Sequence, residues 1–523
     1  MGLKFEYDNI PAVKTTAGFV KGYRYDDIYT FKGIPYAYAD RFQMPTDPKS
    51  WEGVLDTTSY GRVAPLMVPD NPKGEMLVPH MYWPEDEHCQ YINVWTNNLD
   101  SNAKKPVLVW IHGGGYFAGS SIEQLAYDGA NMSKHGDVVV VSLNHRLNIL
   151  GFMDLSPFGE KYENSANAGL ADIVAALKWI NENIDQFGGD PENVTLFGQS
   201  GGGMKIGALM QIPSAKGLFH KGIIMSGVAG DFMKPCEGGD GRAIVTAMLE
   251  ELQIPVSEVE KIETVPYQML VGAYLKVVQD VAKTGAYVGN NPMINDYFLG
   301  EAQMTGFSEQ AKNTPLMVGT VFGEFNSFAP SQINKYELSE EQMIEMVKER
   351  FQDKTSEIVE AFKQAYPDKK IIDVLSLDMV FRPLSKHLVH AKSKYSEAPT
   401  YTYVFSLDFP CYHGKSAWHC ADIPFVFHNI DKVPVANIEG VSEELQDNMF
   451  KAIIEFAKTG NPNHEGIPQW NACTPTDEST MIFDKTCEVR HNFDDEILRV
   501  LKEALPELTL ETILATMGDE VQH

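Results

Sequence analysis

Residues 198–202 read G-Q-S-G-G, a G-x-S-x-G match with Ser200 at its centre. A serine in that setting can act as a nucleophile when it sits on a sharp turn between a strand and a helix. The turn strains the backbone and projects the hydroxyl. Side chains two positions to either side would collide, so Gly198 and Gly202 suit the turn. The surroundings agree. Residues 194–197 (V-T-L-F) carry a short buried-strand signal, and 204–210 look helical. The positive end of that helix would favour a developing negative charge. Competing readings are a glycine-rich turn without chemistry and a phosphate-binding loop. No G-K-[ST] follows and G-x-G-x-x-G is not matched, which weakens the phosphate reading.

A serine hydroxyl needs a base, and the base needs an orienting acid. In doubly wound hydrolases the chain order is serine, acid, histidine. His413 and His419 both lie after the aromatic run 400–407, where a late loop would place the base. Glu324 follows the apolar run 315–320 and is the candidate acid. Asp296 and Glu301 stand in a less strand-like context. The reaction also needs donors for an oxyanion. H-G-G-G at 112–115 directly follows an apolar run, and residues without side chains let backbone N–H groups converge. With the N–H of Gly201 they would make a three-donor hole.

These residues need a scaffold whose strand ends meet. Apolar runs at 91–95, 106–111, 138–143, 194–197, 222–227, 315–320 and 400–407 read as strands, and 168–184 as an amphipathic helix. Strands alternating with helices predict a large, mostly parallel sheet with helices on both faces, an α/β fold. Residues 16–65 predict a small antiparallel sheet. Residues 66–86 predict a long surface loop that could gate the site, and 339–362 and 371–395 predict amphipathic helices. Further helices are expected at 442–459, 494–507 and 508–517. No linker or repeat divides the chain, so 1–523 reads as one domain with helical cap insertions around 231–313 and 339–395.

With 523 residues and 22% charged, 44% hydrophobic composition, the chain reads as globular. A net charge of −28 argues against nucleic acid and anionic membranes as partners. No apolar run approaches membrane-spanning length, and no signal peptide is visible. Cys89, Cys236, Cys411, Cys420, Cys473 and Cys487 are widely spread, unlike a disulfide framework. A cytoplasmic protein is expected. Cys411, His413, His419 and Cys420 could suggest zinc, but adjacent His419 and Cys420 would point to opposite sides and no second C-x-x-C pair follows. No metal or cofactor is expected.

Taken together, the chain resembles the type-B carboxylesterase family, the cholinesterase-like branch of the α/β-hydrolase fold, in a form expected of a bacterial enzyme. The resemblance rests on F-K-G-I-P-Y-A at 31–37, C-Q-Y-I-N-V at 89–94, H-G-G-G-Y-F-A-G-S at 112–120 and N-H-R-L-N-I-L-G-F at 144–152. It continues through 187–203 and T-G-N-P-N at 459–463. It implies a serine esterase acting on a small-molecule ester through an acyl-enzyme, with no cofactor. The family's G-T-x-x-x-E loop maps onto 319–324 and implies Glu324 as the acid. Its histidine precedes an acidic residue and Φ-P-Φ-V-F, here 419–427, which implies His419 over His413. It further implies Gly114 and Gly115 as loop donors, and Ser226 as a serine supporting the acid–histidine pair.

Departures are informative. The residue before the serine is often Glu in the family and is Gln199 here; the residue after is often Ala and is Gly201. The acid motif usually reads D-E-G and here is Gly323-Glu324-Phe325. No cysteine precedes Cys89, so the bridge of secreted relatives cannot form. Trp83 lies in a loop that does not reproduce the choline-binding pattern. Neutral aryl or short-to-medium-chain esters are therefore the expected substrates. The competing class is a non-catalytic binding protein on the same fold, but such relatives lose a triad member, and Ser200, Glu324 and His419 are all present.

Overall fold

The structure is a computed structural model and describes residues 4–505 except 69–77, 231–238, 290, 328–331 and 397. The expectations for 508–517, the start of the 231–313 insertion and the middle of the 66–86 loop fall outside those residues.

The apolar runs pair into a twelve-stranded sheet. Its order is Phe5–Glu6, Tyr23–Tyr25, Ile28–Pro35, Tyr91–Thr96, Val139–Leu143, Lys105–Ile111, Gly189–Gln199, Lys221–Met225, Leu316–Val321, Thr400–Phe405, Ser479–Phe483 and Glu488–His491. From Val139–Leu143 to Ser479–Phe483 every neighbouring pair is parallel, and both margins are antiparallel. Central strands are apolar on both faces because both faces are covered. Val107, Val109 and Ile111 face helices Ala168–Asn183 and Gly201–Leu209; Leu108 and Trp110 face Ala130–Gly136 and Ser442–Thr459. The α/β arrangement expected from the alternation of elements is the one observed.

Some elements differ from the sequence reading. The small sheet is three-stranded and mixed: Val13–Lys14 pairs antiparallel with Phe19–Lys21, which pairs parallel with Val54–Asp56. Residues 31–35 belong to the large sheet instead, where a bulge near Gly33 shifts the register against Tyr91–Thr96. Gly33 has φ of 66° there and donates its N–H to Asn93 Oδ1. Strands Ser479–Phe483 and Glu488–His491 were not anticipated; they are short and their pairing is set by the neighbouring strand. The helix expected over 339–362 breaks at Gln352, with φ of 49°, into Glu340–Phe351 and Thr355–Ala365. That over 371–395 splits into a 3₁₀ turn, Ile371–Ser376, and helix Phe381–Tyr395.

Helices Arg242–Glu251 and Tyr267–Ala282 pack with Ile149, Met153, Leu155 and Tyr162 in a separate apolar cluster. Helix Phe381–Tyr395 lies against strands Leu316–Val321 and Thr400–Phe405. Among the described residues, no helix is long and apolar enough to cross a membrane.

Candidate active site

His112, Ser200, Ser226 and Glu324 all follow parallel strands at their carboxyl ends, where ligands of open α/β sheets bind. The half-buried Ser200 is the N-cap of helix Gly201–Leu209, with φ of 55° and ψ of −124°. A non-glycine residue in that region stores strain, and here the neighbours enforce it. Ser200 N donates to Met225 O at 2.8 Å. A Cβ on Gly202 would lie 1.9 Å from Ile111 O, and one on Gly198 would lie 2.7 Å from the same atom. Helix Gly201–Leu209 begins three positions before the apolar pattern does, because its first turn has room only for glycine.

The glycine loop packs directly on this turn. A Cβ on Gly113 would stand 3.4 Å from Ser200 Cβ. A Cβ on Gly201 would lie 2.3 Å from both the nitrogen and the oxygen of Gly115. Gly114 and Gly115 have φ of 80° and 59°, which glycine adopts at no steric cost. Ala118 N donates to Gly114 O at 2.9 Å and closes the loop. Among the described residues, the N–H groups of Gly114, Gly115 and Gly201 donate to no other group. Gly201, as the first helical residue, has no partner four residues back. Three unspent donors thus lie beside the serine.

Glu324 is buried, with φ of 44°. Its Oε1 accepts the Val321 N–H at 3.0 Å, and His419 Nδ1–H donates to Oε2 at 2.5 Å. This contact leaves His419 Nε2 as the acceptor nitrogen. Burial pushes the Glu324 carboxyl up to about 8, and the Ser226 hydroxyl and the Val321 amide pull against it. Ser226 Oγ, buried beside the carboxylate, acts at close range without a well-formed hydrogen bond of its own. Asp378 and Asp422 are also buried and each is pushed up to about 7, by burial first and then by the Glu324 charge. Asp422 Oδ2 accepts from Tyr403 OH at 2.8 Å.

Gln199 reaches the same histidine. Its amide nitrogen lies 3.1 Å from Nε2 and 3.3 Å from Nδ1. A point that near both ring nitrogens lies over the ring face, away from the in-plane lone pair of Nε2. Phe381 stacks on the imidazole at 5.2 Å and 13°, and Phe325 packs at 4.4 Å and 41°. The structure therefore brings Glu324, His419, Gln199 and Ser226 together, with Ser200 against Gly113 and Gly201 against Gly115. Among the described residues, Ser200 and His419 do not form a hydrogen bond. His413 and Asp296 are exposed. Glu301 lies apart from His419, in a cavity of about 10 Å³ lined by Met204, Gly227, Ala229 and Leu388. Phe381 and Asp378 escaped the sequence reading, since no motif marks them. Among the described residues, no group of three His, Cys, Asp or Glu could hold a metal.

Comparison with known proteins shows the family. A carboxylesterase family model matches residues 9–500. The chain is 33% identical over 496 residues to para-nitrobenzyl esterase of Bacillus subtilis, covering 92% of this chain and 97% of that protein. It is 30% identical over 489 residues to phenmedipham hydrolase of Pseudarthrobacter oxydans, covering 90% and 94%. Among solved structures, an esterase from anaerobic Clostridium hathewayi that can hydrolyze aliphatic aromatic polyesters superposes with a TM-score of 0.93 at 53% identity, covering 96% and 99% of the two chains.

Proposed function

The chain belongs to the carboxylesterase family and is a carboxylic ester hydrolase, and from that premise we propose that it works through an acyl-enzyme on Ser200. The observation that carries this reading is the 2.5 Å contact of Glu324 with His419, beside a strained, projecting serine. Ser200 Oγ attacks the ester carbonyl while His419 Nε2 takes its proton. Glu324 holds Nδ1–H, fixes the tautomer and stabilises the imidazolium. The carbonyl oxygen, now an oxyanion, accepts from the N–H groups of Gly114, Gly115 and Gly201. His419 returns the proton to the leaving alkoxide. A water then repeats the sequence on the acyl-enzyme, and Ser200 is restored. The missing Ser200–His419 bond closes when substrate seats, as catalytic hydrogen bonds often tighten only in the complex.

Ser226 and Gln199 support His419 and Glu324 without touching substrate carbonyl chemistry. The substrate is a small neutral ester with aryl or short-to-medium aliphatic parts. Support comes from the uncharged Gln199 over the imidazole and from Phe325 and Phe381 around it. The aryl-bearing substrates named for para-nitrobenzyl esterase and the polyester-cleaving esterase point the same way. We read residues 1–523 as one domain with cap insertions, placed in the cytoplasm because its cysteines are sparse and those among the described residues are unpaired.

The test is direct. Ser200→Ala should keep the fold and lose on the order of a million-fold in turnover. Mass spectrometry after organophosphate treatment should place the adduct on Ser200, and an adduct elsewhere overturns the assignment.

A further inference from the structure

Lys205 is a lone cation in an otherwise apolar, glycine-rich helix, Gly201–Leu209, and its side chain is fully buried. An alkyl side chain would fill the same space without the cost of burying an amine. The amine has a specific target. Nζ donates to the His112 carbonyl at 3.1 Å, and among the described residues it has no other hydrogen-bond partner. That carbonyl stands where the chain leaves strand Lys105–Ile111 and enters the glycine loop. The loop behind it has φ of 80° and 59° at Gly114 and Gly115, so the segment carrying two of the three donors is built on residues with the widest intrinsic backbone freedom.

The third donor, Gly201, sits one turn before Lys205 on the same helix. We propose that Lys205 is a positioning residue that clamps the H-G-G-G loop onto the helix, fixing the distance between the Gly114–Gly115 donors and the Gly201 donor. This rests on the oxyanion-hole reading above. The surroundings fit a clamp. His112 and His145 stack at 5.0 Å and 19° beside it, both buried. Burial first, and then the Lys205 charge, hold both imidazoles well below their usual range, so neither competes as a cation. Burial pulls the Lys205 ammonium down to about 7, with the Glu123 charge opposing. Ammonium and amine both carry N–H groups, so the bond to His112 O survives the titration.

The experiment compares Lys205→Met with wild type on an aryl ester and on a trifluoromethyl ketone, whose serine adduct carries an oxyanion. Wild type should bind that ketone far more tightly than its methyl ketone isostere; equal binding would overturn the oxyanion-hole reading itself. Granted that preference, Lys205→Met should lower kcat by up to ~100-fold, the scale of an ångström-sized misplacement. KM should stay within about threefold, because the donors act on charge absent from the ground state. The inhibition constant for the trifluoromethyl ketone should rise in parallel with the loss of kcat. A kcat near wild type, or a fall in kcat with an unchanged inhibition constant, overturns the clamp. Should circular dichroism show Lys205→Met unfolded, Lys205→Ala, which also removes the donor but with a smaller side chain, is read on the same two constants by the same criteria.

Discussion

His419 Nδ1 and Glu324 Oε2 meet at 2.5 Å, and the loops that carry them are joined by backbone as well as side chain. His419 N donates to Glu324 O at 3.2 Å, and Gly323 N donates to Ala417 O at 2.9 Å. A two-rung backbone ladder thus holds the two segments, 95 residues apart in sequence, in register beneath the side-chain contact. The two backbones that carry these side chains cannot separate without breaking main-chain bonds.

Selective loss at these positions is the first consequence. His419→Ala should be nearly inactive and His413→Ala close to wild type, since His413 is exposed. Glu324→Gln should be severely impaired by the wrong tautomer, on the order of 10⁴-fold in kcat. Asp422→Asn should be mild, because an amide oxygen still accepts from Tyr403 OH. Steady-state kinetics on a chromogenic ester checks both pairs, and the reverse order in either one removes the corresponding assignment.

The acid limb of the pH–rate profile follows from the same pair. Activity needs an ionised Glu324, and burial raises that carboxyl from 4.5 to about 8. Activity should therefore be lost as the pH falls through about 8, above the ordinary carboxylate range. Ser226 lowers the proton affinity of Glu324. Ser226→Ala should thus move the acid limb of kcat/KM to higher pH. A shift to lower pH contradicts the supporting role of Ser226.

Glu301 gives a stability prediction. Burial raises its carboxyl from 4.5 to about 8 in the folded protein. A raised folded pKa means that its contribution to stability is present below the unfolded value and lost as pH rises through the folded one. Each unit of displacement is worth about 1.4 kcal/mol. Glu301→Gln should therefore raise Tm relative to wild type more at pH 9 than at pH 5. Calorimetry at the two pH values checks this, and an equal difference at both excludes it.

Crowding at the turn predicts an intolerance. A Cβ on Gly201 would lie 2.3 Å from Gly115 N, so Gly201→Ala must push the loop away from the serine. A Cβ on Gly115 would lie 2.5 Å from the Phe117 ring, at φ of 59°. Gly201→Ala and Gly115→Val should each reduce kcat by about 10²–10³, the value of one oxyanion donor, with KM little changed. Raised KM at unchanged kcat would show that these glycines serve binding instead.

Substrate charge can be read from Gln199. A Glu at this buried position would add an anion near the bound ester, worth at most about 4 kcal/mol of attraction for a cation at an effective dielectric of 20. Gln supplies none, and the −28 net charge is screened over about 10 Å. We expect kcat/KM for 3,3-dimethylbutyl butyrate to exceed that for butyrylcholine. A strong preference for the choline ester would locate an anionic or aromatic group elsewhere in the site.

The order of the elements, the strand–turn–helix around Ser200 and the glycine loop before it were legible in the chain, because each depends on near neighbours. Apolar runs of strand length, glycines at fixed offsets from the serine and a loop directly after 106–111 are local patterns with local physical causes. Choosing the base was already beyond them: His413 and His419 stood on equal terms until family resemblance separated them. The three-dimensional structure puts His419 against Glu324 and leaves His413 in solvent. It also breaks the helices expected over 339–362 and 371–395, where tertiary packing overrides periodicity. Phe381 on the imidazole, Asp378 behind Glu324 and the amine of Lys205 on the His112 carbonyl are decided by packing between distant segments. No spacing along the chain encodes such contacts, since each exists only once the sheet has brought its strand ends to one edge.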